Sequence, residues 1–88
     1  MKTIRVSKEH LVYDDSTDVL YIGLADPAIS DEEEVLPGVH VLYRYGHGRL
    51  DDIIAVEIEY FKERYKDLPA KIEIPLKKPL VLEVPSFL

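Results

Sequence analysis

Along most of this chain apolar and polar residues alternate with a period of two, and clusters of Asp, Ser, Gly and Pro interrupt the alternation. That pattern predicts short strands joined by turns. Ile4, Val6, Leu11, Val12 and Tyr13, standing among charged neighbours, predict an extended N-terminal segment. Asp14, Asp15, Ser16, Thr17 and Asp18 form a turn by composition, because Asp and Ser side chains bond nearby backbone amides. Val19 to Leu24 returns as a strand, with Leu20, Ile22 and Leu24 on one face and Val19, Tyr21 and Gly23 on the other.

The stretch from Ala25 to Gly38 contains the acidic run Asp31-Glu32-Glu33-Glu34 and reads as a long polar connection. Val39 to Tyr45 is the next strand, with Val39, Val41, Tyr43 and Tyr45 opposed to His40, Leu42 and Arg44. Gly46-His47-Gly48 predicts a hairpin turn. Ile53 to Ile58 is almost continuously apolar, which suits a central strand covered on both faces. From Glu59 to Asp67 the spacing of Tyr60, Phe61, Arg64, Tyr65 and Leu68 shifts towards 3.6 and predicts one short helix, ended by Pro69. Beyond it, Ala70 to Ile74 and Leu80 to Val84 alternate again, punctuated by Pro75, Pro79 and Pro85. These prolines predict edge strands or an extended arm in need of a surface.

The expected fold class is therefore α+β: a small antiparallel β-meander of four or five strands, one short helix after the central strand, and an extended C-terminal arm. At 88 residues the chain holds one domain, 1–88, and one core. It contains no cysteine, which excludes disulfides, cysteine-based zinc sites and cysteine catalysis. Dimerisation is the remaining way for so small a core to gain buried area, so a homodimer is expected. The first residues lack the apolar run of a signal peptide and no stretch approaches the roughly 20 apolar residues of a membrane span. A cytoplasmic protein with no membrane contact follows as the expectation. The net charge of −6 repels phosphate backbones, so nucleic acid is not an expected ligand, whereas a basic protein partner is compatible with the field.

Tyr13-Asp14-Asp15-Ser16-Thr17-Asp18-Val19-Leu20-Tyr21-Ile22-Gly23-Leu24 resembles the signature Y-D-x-x-x-D-x-L-Y-I-x-L of a family of short prokaryotic proteins, domain of unknown function 2283. The second half of that pattern is also recognisable. It runs from the acidic stretch to Gly38, an apolar strand, the turn with Gly48 and Arg49, and the strand end Val56-Glu57-Ile58. Family members reach their glutamate after a shorter run; here the segment between Gly48 and Glu57 is longer and contains Asp51 and Asp52. The resemblance covers about residues 8–60, leaving a C-terminal helix and arm over 59–88. It implies a strand meander with a helix and an antitoxin-like or partner-binding role, but no defined activity. The motif positions it singles out are Tyr13, Asp14, Asp18, Leu20, Tyr21, Gly38, Gly48 and Glu57.

Candidate chemistry is sparse. Asp14, Asp15 and Asp18 have carboxylates suited to a cation-binding loop, but their spacing is not that of an EF-hand and the same residues stabilise a tight turn. His40 and His47 have Asp51 and Asp52 as nearby companions, too few ligands to assign a metal, and no cofactor is expected. Glu57 sits in an apolar stretch where burial would raise a carboxyl pKa, yet no partner group for catalysis is identifiable and no catalytic residue is assigned. The six tyrosines suit half-buried sheet faces and protein interfaces alike. Two readings remain: a non-enzymatic interaction module using the acidic run and the proline-bounded tail, or a small enzyme or cation-dependent binder using Glu57, His40 and the Asp14/Asp18 turn.

Overall fold

In the computed structural model, which describes residues 2–45 and 52–88, the alternating segments become eight strands. They are β1 (Lys2–Arg5), β2 (Leu11–Asp14), β3 (Val19–Gly23), β4 (Ser30–Leu36), β5 (Val39–Arg44), β6 (Ile53–Glu59), β7 (Ala70–Ile74) and β8 (Leu80–Val84). A 3-10 turn (Lys8–His10) joins β1 to β2, and a short helix, α1 (Phe61–Arg64), follows β6. The strands form a five-stranded sheet in the order β2-β3-β6-β5-β4 and a three-stranded sheet in the order β1-β8-β7. All pairings are antiparallel except β1 with β8. The small, largely antiparallel α+β class expected from the pattern is the one observed. No helix among the described residues is long and apolar enough to cross a membrane.

Both sheets contribute to one apolar core. Leu20, Ile22, Val41, Val56 and Ile58 of the larger sheet and Ile72, Ile74, Leu80, Leu82 and Val84 of the smaller are buried together with Phe61. Burying a side chain of this kind stabilises the fold by about 1.5–3 kcal/mol relative to leaving it in water. As its continuous apolar run predicts, β6 is the central strand, and Ile53, Ile54, Ala55 and Val56 are all buried.

Several local expectations are corrected. The N-terminal segment is not one strand: the 3-10 turn divides it, sending β1 to the small sheet and β2 to the large one. The predicted helix shrinks to four residues, because β6 runs on through Glu59 and Tyr60 turns left-handed (φ 56°) before the first helical residue. The acidic run is not a connection but most of β4, which among the described residues is an edge strand paired with β5 alone. At an edge the backbone still forms a ladder on one side while the charged side chains reach water, so like charges are tolerated there. The tail is not an arm. Among the described residues β7 is an edge strand, one of the two outcomes the prolines predict, but β8 is the middle strand of its sheet; Pro75, Pro79 and Pro85 lie just outside the strands, where no ladder N–H is required. The Gly46-His47-Gly48 turn falls outside the described residues.

The β4–β5 hairpin turns at Pro37 and Gly38, the Pro-Gly pair of a type II turn, and Gly38 takes φ 80° as that turn requires. A Cβ at Gly38 meets the Arg64 guanidinium at 2.7 Å, and Arg64 itself donates to the Pro37 carbonyl. Gly38→Ala is therefore expected to destabilise the protein by about 1–3 kcal/mol, seen as a lower urea midpoint at unchanged slope. A midpoint equal to that of the native chain contradicts this account of the turn.

Candidate functional site

The Tyr-Asp-Asp turn closes the β2–β3 hairpin and is held by its own side chains. Asp14 Oδ1 accepts from the Ser16 backbone N–H at 3.0 Å and from its hydroxyl at 2.7 Å. Asp18 is left-handed (φ 57°), and its Oδ1 accepts from the Tyr13 hydroxyl at 2.7 Å and the Lys62 backbone N–H at 2.9 Å. The Asp18 carbonyl accepts from the Phe61 N–H at 3.0 Å. These bonds hold the Asp14 carboxyl below the usual carboxylate range, chiefly through Ser16, and the Asp18 carboxyl likewise, chiefly through the Lys62 N–H. Desolvation, reinforced by the Asp18 carboxylate, pushes the Tyr13 phenol up to about 12. The turn thus latches the first hairpin to the start of α1. The Asp14 and Asp18 carboxylates are engaged in structure.

The remaining motif positions separate into core and surface. Leu20 is fully buried and Gly38 makes the second hairpin turn. Gly48 lies outside the described residues. Tyr21 and Glu57 lie on the outer face of the large sheet, in a row set by strand register: Val12 opposite Tyr21, Tyr21 opposite Glu57, Glu57 opposite His40, His40 opposite Glu34. The row runs from an exposed apolar edge at Val12 to the acidic edge at β4.

His40 is the centre of this face. Its side chain is 18% exposed, and its Nε2 lies 2.8 Å from Glu59 Oε2 and 3.7 Å from Glu34 Oε2. Nδ1 lies 3.1 Å from Glu32 Oε2, within ion-pair range but outside the angles of a hydrogen bond. Glu34 Oε2 also accepts from the Gly38 N–H at 3.1 Å, so the hairpin turn helps to orient it. The Glu59 hydrogen bond, aided by the charges of Glu32 and Glu34, raises the His40 pKa above the usual imidazole value, although desolvation acts in the opposite direction. The arrangement concentrates negative charge around one nitrogen heterocycle and is suited to holding a positive charge.

Of the residues singled out from sequence, the structure brings His40 and Glu57 side by side but assigns Asp14 and Asp18 to the turn. Among the described residues, the group of histidine, aspartate or glutamate ligand atoms within 4.8 Å of one another is Glu34, His40 and Glu59, with neither Asp14, Asp18 nor Asp52 in it. Asp51 and His47 lie outside the described residues. Sequence reasoning missed Glu32, Glu34 and Glu59 as companions of His40. The available signal was phase: once the acidic run is a strand, residues 32 and 34 share a face, as do 57 and 59. Compared with known proteins, the chain matches no family model, no curated protein and no solved structure.

Proposed function

We propose that this protein is a non-enzymatic interaction module whose β4 edge receives a basic, extended segment of a partner protein. One observation carries the reading: among the described residues, the strand bearing Glu32, Glu33 and Glu34 pairs with β5 and with no second strand, so a charged sheet edge is offered to an incoming strand. Strand addition derives affinity from main-chain hydrogen bonds and specificity from alternate side chains. Two copies of this edge would set four carboxylates against four, which disfavours self-pairing there, while a lysine- or arginine-rich segment meets complementary charge. The homodimer expected for so small a core belongs to this reading only through a different face. The resemblance to domain of unknown function 2283, the antitoxin-like role it implies and a cytoplasmic location belong to the same reading.

The test is a tagged pull-down from the source cell with mass spectrometry and sizing of the eluate, repeated with Glu33→Lys. Glu33 is opposite Val41 and out of phase with His40, so the change reverses charge at the edge without touching the histidine cluster. A stoichiometric basic partner retained by the native chain, released by salt and lost in the variant is expected. No partner, or one held equally by both chains, removes the proposal.

A further inference from the structure

We propose that Glu34, His40 and Glu59 form a site for one divalent transition-metal ion, with zinc the best chemical fit. This goes beyond the docking role and does not depend on it. The three donors come from three adjacent strands, β4, β5 and β6, rather than from one charged loop. Glu34 is the direct cross-strand neighbour of His40, and Glu59 lies two residues beyond Glu57, the other cross-strand neighbour. Sheet register, set by the core on the opposite face, therefore fixes the spacing of the donors. The alternation of β4 selects Glu32 and Glu34 and turns Asp31 and Glu33 away, so only half of the acidic run faces the site.

The donor chemistry narrows the ion. One imidazole nitrogen with two carboxylates suits zinc and its first-row neighbours. Calcium takes six to eight oxygens and magnesium an octahedral shell, and neither favours an imidazole. A tetrahedral zinc with bonds of about 2.0–2.1 Å separates its ligand atoms by about 3.3 Å. The His40–Glu59 and His40–Glu34 separations, 2.8 and 3.7 Å, bracket that value. Glu34 and Glu59 have side chains 54% and 43% exposed, free to adjust and leaving solvent access for a fourth ligand.

The surrounding groups are those a histidine ligand needs. Metal-bound imidazoles commonly donate their second nitrogen to a carboxylate, which fixes the tautomer and the ring. Glu32 Oε2 stands 3.1 Å from Nδ1, so a small rotation completes that bond and leaves the Nε2 lone pair directed between Glu34 and Glu59. The Gly38 N–H steadies the same Glu34 oxygen. In the absence of metal, a proton shared between His40 and its carboxylates holds the same groups together, and the experiment has to separate the two.

Chelator-treated protein is titrated with zinc chloride by calorimetry, with cobalt(II) absorption as a second readout and magnesium as a control. One zinc per chain is expected, together with the intense visible bands of tetrahedral cobalt. Glu59→Gln and His40→Ala are expected to weaken zinc binding at least tenfold, Glu32→Gln by about 10–100-fold as an orienting residue, and Glu33→Gln not at all. Circular dichroism checks that each variant is folded. If His40→Ala does not fold, the zinc-induced shift of the His40 ring resonances in the native chain takes its place. Absence of saturable one-to-one binding, ring resonances unmoved by zinc, or equal affinity in the native chain and Glu59→Gln overturns the proposal. The docking reading is unaffected by that outcome.

Discussion

Deleting residues 80–88 is expected to abolish cooperative folding. Among the described residues, β8 is the one strand hydrogen-bonded to β1 and to β7, so its loss dissolves the whole three-stranded sheet rather than trimming one edge. Leu80, Leu82 and Val84 are each at most 1% exposed. At ~1.5–3 kcal/mol apiece their burial stabilises the protein by ~5–9 kcal/mol. A domain of this length has a net stability of ~4–13 kcal/mol. The deletion also uncovers the inner face of the five-stranded sheet and removes Phe87 from its contacts with Phe61 and Tyr13. Urea unfolding followed by circular dichroism is the measurement: a gradual change without a sigmoidal transition is expected. A sharp transition near the native midpoint would show instead that the tail is the peripheral arm its prolines suggest.

The second large effect lies at Phe61. This fully buried ring sits where α1 meets the β2–β3 hairpin and the C-terminal tail, with ring centroids 6.2 Å from Tyr13, 5.5 Å from Tyr65 and 5.9 Å from Phe87. Its own backbone N–H is held by the Asp18 carbonyl, so the surrounding structure cannot easily collapse into a space left by truncation. Phe61→Ala combines lost transfer energy with a residual cavity and is expected to cost about 3–5 kcal/mol. Phe61→Leu retains most of the volume and is expected to cost distinctly less. Denaturant midpoints at constant slope measure both, and a loss below 1 kcal/mol for the alanine variant would contradict the central place given to this ring.

Phe61 also explains why the Tyr13 to Leu24 motif is largely structural. Tyr13 packs edge-on against the ring while its hydroxyl donates to Asp18, and Asp18 in turn caps the first residues of α1. Leu20 lies in the core on the same side of β3. The motif is a latch joining hairpin to helix, while Val19 and Tyr21, on the opposite face, are the cross-strand neighbours of Glu59 and Glu57 beside the histidine cluster.

The alternation alone determined which residues of β3 and β5 share the inward face, because a strand with one buried face carries its orientation in its own period. It also marked β6 as central, since only a strand covered on both sides can be apolar at successive positions. The Asp14 turn was legible for a similar reason: the bonds from Ser16 to Asp14 span two residues and are encoded locally. Tertiary structure decided the rest. Whether a run of four acidic residues is a loop or a strand depends on β5, the next strand along the chain, being held in the sheet by β6 and offering it a ladder at an edge where charge stays hydrated. Whether the proline-bounded tail is an arm or a sheet centre depends on β1, at the other end of the chain, pairing with it. The meeting of Glu34, His40 and Glu59 depends on two strand registers at once, and no local spacing records it. Side-chain period is a property of one strand; which charges become neighbours is a property of how strands are paired.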